Sequence, residues 1–108
     1  MQKNLRLLAV AASLLLPAAA HAQDYVLTLK DHTFTPAELT LPANQKIKIT
    51  VKNEDATPAE FESHDLKREK IIKGNSEAVI NLGPLKPGSY KFFDEFHEDT
   101  ATGTITVQ

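Results

Sequence analysis

From Lys46 to Lys52 the chain alternates without a fault: Lys46, Lys48, Thr50 and Lys52 on one side, Ile47, Ile49 and Val51 on the other. Successive side chains of an extended chain point to opposite faces, so this segment is a β-strand with one face buried and one in water. A strand of that kind needs neighbours in a sheet and a second layer to cover its apolar face. The same pattern recurs more weakly over Tyr25–Leu29, over Leu39-Thr40-Leu41, and over Ala78–Leu82, where Ala78, Ile80 and Leu82 share a face. Pro87-Gly88 makes a turn that leads into Tyr90 and Phe92 on one face, and Gly103 precedes the alternating Thr104–Val107. Short strands punctuated by Pro and Gly point to an all-β sandwich of about seven strands in two sheets. Asp65–Lys70 is the one stretch with helical promise. Its few apolar residues cannot anchor a helix, so it is expected to be a loop or a single turn.

The start of the chain has a different character. Lys3 and Arg6 precede an apolar run from Leu7 to Leu16, Pro17 breaks it, and Ala20-His21-Ala22 sets small residues where a signal peptidase cuts. The run is shorter than the roughly 20 apolar residues of a membrane span. Residues 1–22 are therefore expected to be a cleaved secretory signal, and 23–108 a single exported domain with no membrane insertion of the mature chain. The chain has no Cys, which excludes lipoprotein processing and a disulfide framework alike. Its stability must come from packing or from a bound ion.

Residues 1–22 carry two of the 12 Lys and Arg and none of the 14 Asp and Glu, so the remainder has ten basic against 14 acidic residues, a net charge of −4. An acidic surface argues against nucleic acid or anionic lipid as partner and is compatible with cations. No Ser–His–Asp arrangement, phosphate-binding loop or nucleophilic Cys suggests another chemistry.

Two segments carry a family resemblance. One is Phe34-Thr35-Pro36 followed by Leu39-Thr40-Leu41-Pro42 and the alternating strand that ends at Asn53-Glu54-Asp55. The other runs from Pro87-Gly88-Ser89-Tyr90 through Phe92-Phe93-Asp94-Glu95-Phe96-His97 to Gly103 and a last strand. Together they resemble the cupredoxins, which implies a Greek-key β-sandwich with metal ligands gathered at one end. The departures are chemical. Asp94 stands at the cupredoxin Cys position, Ala59 follows Pro58 where the first His ligand is usual, and no Met follows His97. A blue copper centre needs a thiolate. This chain cannot make one.

The variant pattern Asp31-His32-x-Phe34-x-Pro36, Glu60-Phe61-Glu62-Ser63, Arg68-Glu69-Lys70 and Gly83–Gly88 is similar to the cupredoxin-like domain of the EfeO type. It is similar also to the small periplasmic cupredoxin-like proteins that accompany bacterial iron permeases. This resemblance implies a periplasmic role with iron or copper, an iron permease or companion periplasmic protein as partner, and a ferroxidase-type function among the options.

Residue by residue, Tyr90 and Phe92 share a face, so Asp94 continues inward at the strand's end. A carboxylate there must be paired, hydrogen-bonded or metal-bound. His97 lies in the following loop and can turn back to it. The cupredoxin layout implies that His32 lies at the same end, and that the strand opened by Pro58 starts there, with Glu60 and Glu62 opposite Phe61. The candidate metal ligands are thus His97, Asp94, His32, Glu60 and Glu62, a set that suits iron or cupric ion. Each has a structural alternative: His97 and His32 as ordinary loop histidines, Asp94 as an acceptor of loop amides, Glu60 and Glu62 as a solvated strand face. Two functions follow, a periplasmic metal-binding protein supporting iron uptake or a metal-free docking subunit of a transport complex.

Overall fold

The computed structural model describes residues 23–108, so the expected signal segment at 1–22 lies outside the described residues. Nine strands follow one another: β1 (Gln23–Lys30), β2 (Thr33–Thr35), β3 (Glu38–Leu41), β4 (Ile47–Asn53), β5 (Ala59–Ser63), β6 (Arg68–Ile72), β7 (Ser76–Leu82), β8 (Gly88–Asp94) and β9 (Thr102–Val107). Among the described residues the only helical element is a single 3-10 turn, Glu95–His97.

The strands form two sheets, one ordered β2-β1-β4-β7 and the other β3-β9-β8-β5-β6. β1 runs parallel to β4 and β3 parallel to β9; the remaining pairs are antiparallel. The alternation in β4 sets the register of the first sheet, with Ile47 opposite Leu82 and Ile49 opposite Ile80. Ile47, Ile49 and Val51 are buried as expected, and the second sheet covers them with Phe61, Phe92, Ile105 and Val107.

Two strands exceed the expected count of about seven. β2 has three residues, too short for any periodicity to register. β6 occupies part of the stretch read as a loop, and four of its five residues are exposed. It is held by antiparallel backbone pairing to β5, from Ala59 opposite Ile72 to Ser63 opposite Arg68, which leaves no apolar alternation to read. His64–Lys67 is the turn between them, with Lys67 at φ 56°.

Three aromatic rings pack beneath one end of the sandwich. Phe61 stacks on Phe92 with centroids 5.4 Å apart, and Phe34 meets Phe92 edge-on at 5.0 Å. Phe61 lies opposite Asp94 in the register, so this aromatic layer is the floor on which the polar end of the molecule stands.

Candidate metal centre

β8 carries its inward face from Tyr90 through Phe92 to Asp94, where the strand ends. Asp94 is 1% exposed. Burial at that level demands partners for both carboxylate oxygens. Oδ1 accepts the amide of Glu60 at 2.9 Å and that of Phe96 at 3.0 Å, the second bond capping the 3-10 turn. Oδ2 lies 3.2 Å from Nδ1 of His97. The turn is what brings the His97 ring back over the end of its own strand.

His32 arrives from the other sheet. It sits with Asp31 in the two-residue connection between β1 and β2, and its ring stacks on His97 with centroids 3.7 Å apart and planes 14° from parallel. Its Nδ1 lies 3.4 Å from Oδ2 of Asp55, in the loop after β4. Asp55 also accepts the amides of Asp31 (2.7 Å) and His32 (3.0 Å). Burial opposes ionisation of Asp55, but these two amides and the nearby His32 and Lys30 outweigh it and hold the carboxyl below its usual range. The end of the sandwich is therefore two Asp–His units, one per sheet, meeting ring to ring.

Glu60 and Glu62 go elsewhere. They alternate with the buried Ala59, Phe61 and Ser63 on β5, so their side chains lie on the outer face of the second sheet, half-buried. There Glu60, Glu62 and Glu95 each bring a carboxylate oxygen within 4.8 Å of the others. Burial raises the Glu60 carboxyl above its usual range, helped by a hydrogen bond with Glu69 and by the charges of Glu95, Glu69 and Glu62. Glu62 is raised too, by burial first, then by Glu69 and Glu95, with His64 opposing. Glu69 and Glu95 are not among the candidate ligands that the sequence offers. Cross-strand pairing of Glu62 with Glu69 is what brings Glu69 in.

The five candidate residues thus fall into two groups: Asp94, His97 and His32 at the end of the sandwich, Glu60 and Glu62 on its outer face. Asp55 was missed, because nothing in Asn53-Glu54-Asp55 beyond a turn-like composition marks it as the partner of a histidine 23 residues away.

A family model for the cupredoxin-like domain matches residues 5–107. The chain belongs to that family. The cupredoxin-like chain is 49% identical over 81 residues to an uncharacterised protein of Rickettsia prowazekii (strain Madrid E), covering 75% of its own length and 65% of the relative's, so it spans just under two thirds of that protein. Among solved structures it is similar to auracyanin A, a blue copper protein of Chloroflexus aurantiacus, with TM-score 0.70, 15% identity, and 82% of this chain and 100% of that one covered. It is similar also to the metal-binding domain, with Cu(I), of the Cu(I)-exporting P-type ATPase CopA of Streptococcus pneumoniae D39 (TM-score 0.70, 18% identity, 85% and 91% covered). At those identities the likeness is one of fold. No helix among the described residues is long and apolar enough to cross a membrane.

The blue copper centre of cupredoxins does not fit these residues. A carboxylate occupies the thiolate position, and it already accepts two amides and faces an imidazole. What the arrangement offers is a hard or borderline donor set. Two donors held on one ion by bonds of about 2.1 Å at near-tetrahedral angles stand roughly 3.4 Å apart, close to the 3.2 Å between Asp94 Oδ2 and His97 Nδ1. With a proton in that gap, Asp94 instead backs the imidazole and leaves Nε2 as its ligand atom. The stack limits His32. Ring lone pairs lie in the ring planes, and planes 14° from parallel and 3.7 Å apart do not converge on one ion. In this arrangement His32 packs on His97 instead of sharing a ligand position with it.

Proposed function

We propose that this chain is a periplasmic cupredoxin-like protein that holds an iron or cupric ion at His97 and Asp94 and hands it to an iron permease or a companion protein. The observation that carries this reading is the Asp94–His97 pair itself. A fully buried carboxylate and an imidazole one-third exposed stand at cis-ligand distance, at the end of the sandwich where the sequence carries the family's ligand spacing. Imidazole with carboxylate suits ferrous, ferric or cupric ion better than a soft cuprous ion. Glu60, Glu62 and Glu95 add negative potential on the adjacent outer face, which draws cations toward this side of the molecule. Oxidising ferrous iron would require an electron acceptor, so the proposal is confined to binding and transfer of the ion.

Metal analysis of protein isolated from a bacterial periplasm, followed by calorimetric titration with cupric and ferrous ion, tests the reading. One ion per chain is expected, without the intense visible band of a copper–thiolate bond. His97→Ala should weaken binding by at least tenfold, and Asp94→Asn by about 10–100-fold if the carboxylate acts as backing for the imidazole. Competition by protons should weaken the wild type as pH falls through the histidine range. Failure to bind any ion would favour the docking-subunit reading, which the complete hydrogen bonding of Asp94 supports.

A further inference from the structure

The connection between β1 and β2 is conformationally costly. Lys30 pairs with Thr33, leaving Asp31 and His32 as a two-residue hairpin loop, with φ of 52° and 55°. Two consecutive positive φ values define the hairpin turn that favours Asn followed by Gly, because a Cβ is disfavoured in the left-handed region. A histidine in the second position fits the turn less well than Gly would. Strain of this kind persists only where surrounding structure over-determines it.

Asp55 supplies that determination from outside the hairpin. Its two carboxylate oxygens take the amides of both strained residues, and Oδ2 also faces the His32 ring nitrogen. Asp55 is in turn fixed by Asn53, 1% exposed, whose Oδ1 accepts the Asp55 amide at 3.0 Å. The Asn53 Nδ2 donates among the carbonyls of Thr57, Ile72 and Lys73, tying this loop to the end of β6. The chain of contacts runs from the buried amide of Asn53 through Asp55 to His32, and from His32 by stacking to His97.

We propose that Asp55 and His32 are the positioning residues of the His97 site: Asp55 holds the strained hairpin, and the His32 ring it presents fixes the orientation of the His97 imidazole for its ion. The proposal rests on the metal reading of His97, but the ring contact can be tested apart from it. A ring held at Nδ1 by Asp94 and across one face by His32 has less rotational freedom to lose when it binds.

The two parts of the claim separate in one set of measurements. In proton NMR at fixed neutral pH, the His97 ring protons of wild type should show the upfield shift of a stacked neighbour and a nuclear Overhauser contact to His32. Both should disappear in His32→Gly and in Asp55→Ala. Cupric-ion titration should show affinity reduced 10–100-fold in each variant, as for other outer-shell partners of a metal ligand. His32→Gly is the decisive variant, because Gly relieves the positive φ. Its thermal midpoint should equal or exceed that of wild type while its affinity falls, so a role in stability alone would not produce this result. Persistence of the ring contact in Asp55→Ala, or affinity within twofold of wild type in His32→Gly, overturns the proposal. Should Asp55→Ala fail to fold, His32→Gly still decides whether the stacked ring matters to the site. If wild type itself binds no cupric ion, the metal reading and the ligand-orienting half of the proposal fall together. The ring contacts then decide the remaining half, that Asp55 places His32 on His97.

Discussion

The carboxylates at the end of the sandwich and those on the outer face of its second sheet live under opposite rules. Asp94 and Asp55 each accept two backbone amides and face an imidazole. Glu60 and Glu62 face Glu69 and Glu95, and their carboxyls are pushed upward. The first pair is built into the backbone; the second is a concentration of like charge, eased at Glu62 by His64 at 3.7 Å. A buried carboxylate with all its acceptors used is part of the fold whether or not it also meets an ion. A carboxylate among carboxylates reduces stability unless a proton or a cation joins it. The contrast shows that nearness to a ligand-type neighbour is not one property, since the same residue types can be assembled as support or as repulsion.

The comparison is most easily broken at Asp94. Asp94→Ala leaves the amides of Glu60 and Phe96 without their acceptor in a buried setting. It should cost on the order of 2–4 kcal/mol in urea unfolding. A loss under about 0.5 kcal/mol, the range of ordinary surface changes, would mean that the carboxylate does not organise this end.

A smaller effect, and a sharper one, lies in the pH dependence. The Asp55 carboxyl is lowered in the folded state, so its contribution is complete above the ordinary Asp value and is lost as pH falls through the lowered one. The stability difference between wild type and Asp55→Asn, followed by thermal unfolding, should therefore hold steady from neutral pH down to the ordinary Asp value and shrink from there to the lowered one. A difference that vanishes already between pH 6 and 5 would contradict the amide clamp.

The smallest expected change has the opposite sign. Glu62 is raised, so its penalty is full above the raised value and disappears as pH falls from there to the unfolded value. Glu62→Gln should raise the thermal midpoint slightly at neutral pH, and the gain should fade on acidification. If Glu62→Gln instead lowers the midpoint at neutral pH, the outer-face cluster is supported by its neighbours, and the contrast with Asp94 dissolves.

Much of the fold was legible because alternation reports burial directly. Ile47, Ile49 and Val51 announce β4 and its covered face, and Tyr90, Phe92 and Asp94 announce β8 down to its last inward residue. β6 was not legible, since an exposed edge strand carries no periodic signal and exists only through its pairing with β5. In the candidate site, Asp94 and His97 are three residues apart, and a strand end followed by a turn suffices to suggest that they meet. Asp55 had no such local sign. Its partners His32 and Asp31 are 23 and 24 residues away, and only the parallel pairing of β1 with β4 brings them alongside.

The sequence by itself determined the strand pattern, the apolar faces and the absence of any thiolate, because each depends on residue type and spacing along one chain. That absence settles the chemistry most firmly, since no folding of a chain without Cys can make a copper–thiolate bond. The tertiary structure alone decided that His32 stacks on His97, that Asp55 holds the hairpin beneath it, and that Glu60 and Glu62 join Glu69 and Glu95 instead of Asp94. Those are contacts between segments far apart in sequence, and their geometry follows from strand order, register and face. A single residue of register shift in β5 would turn Glu60 and Glu62 to the other side of their sheet.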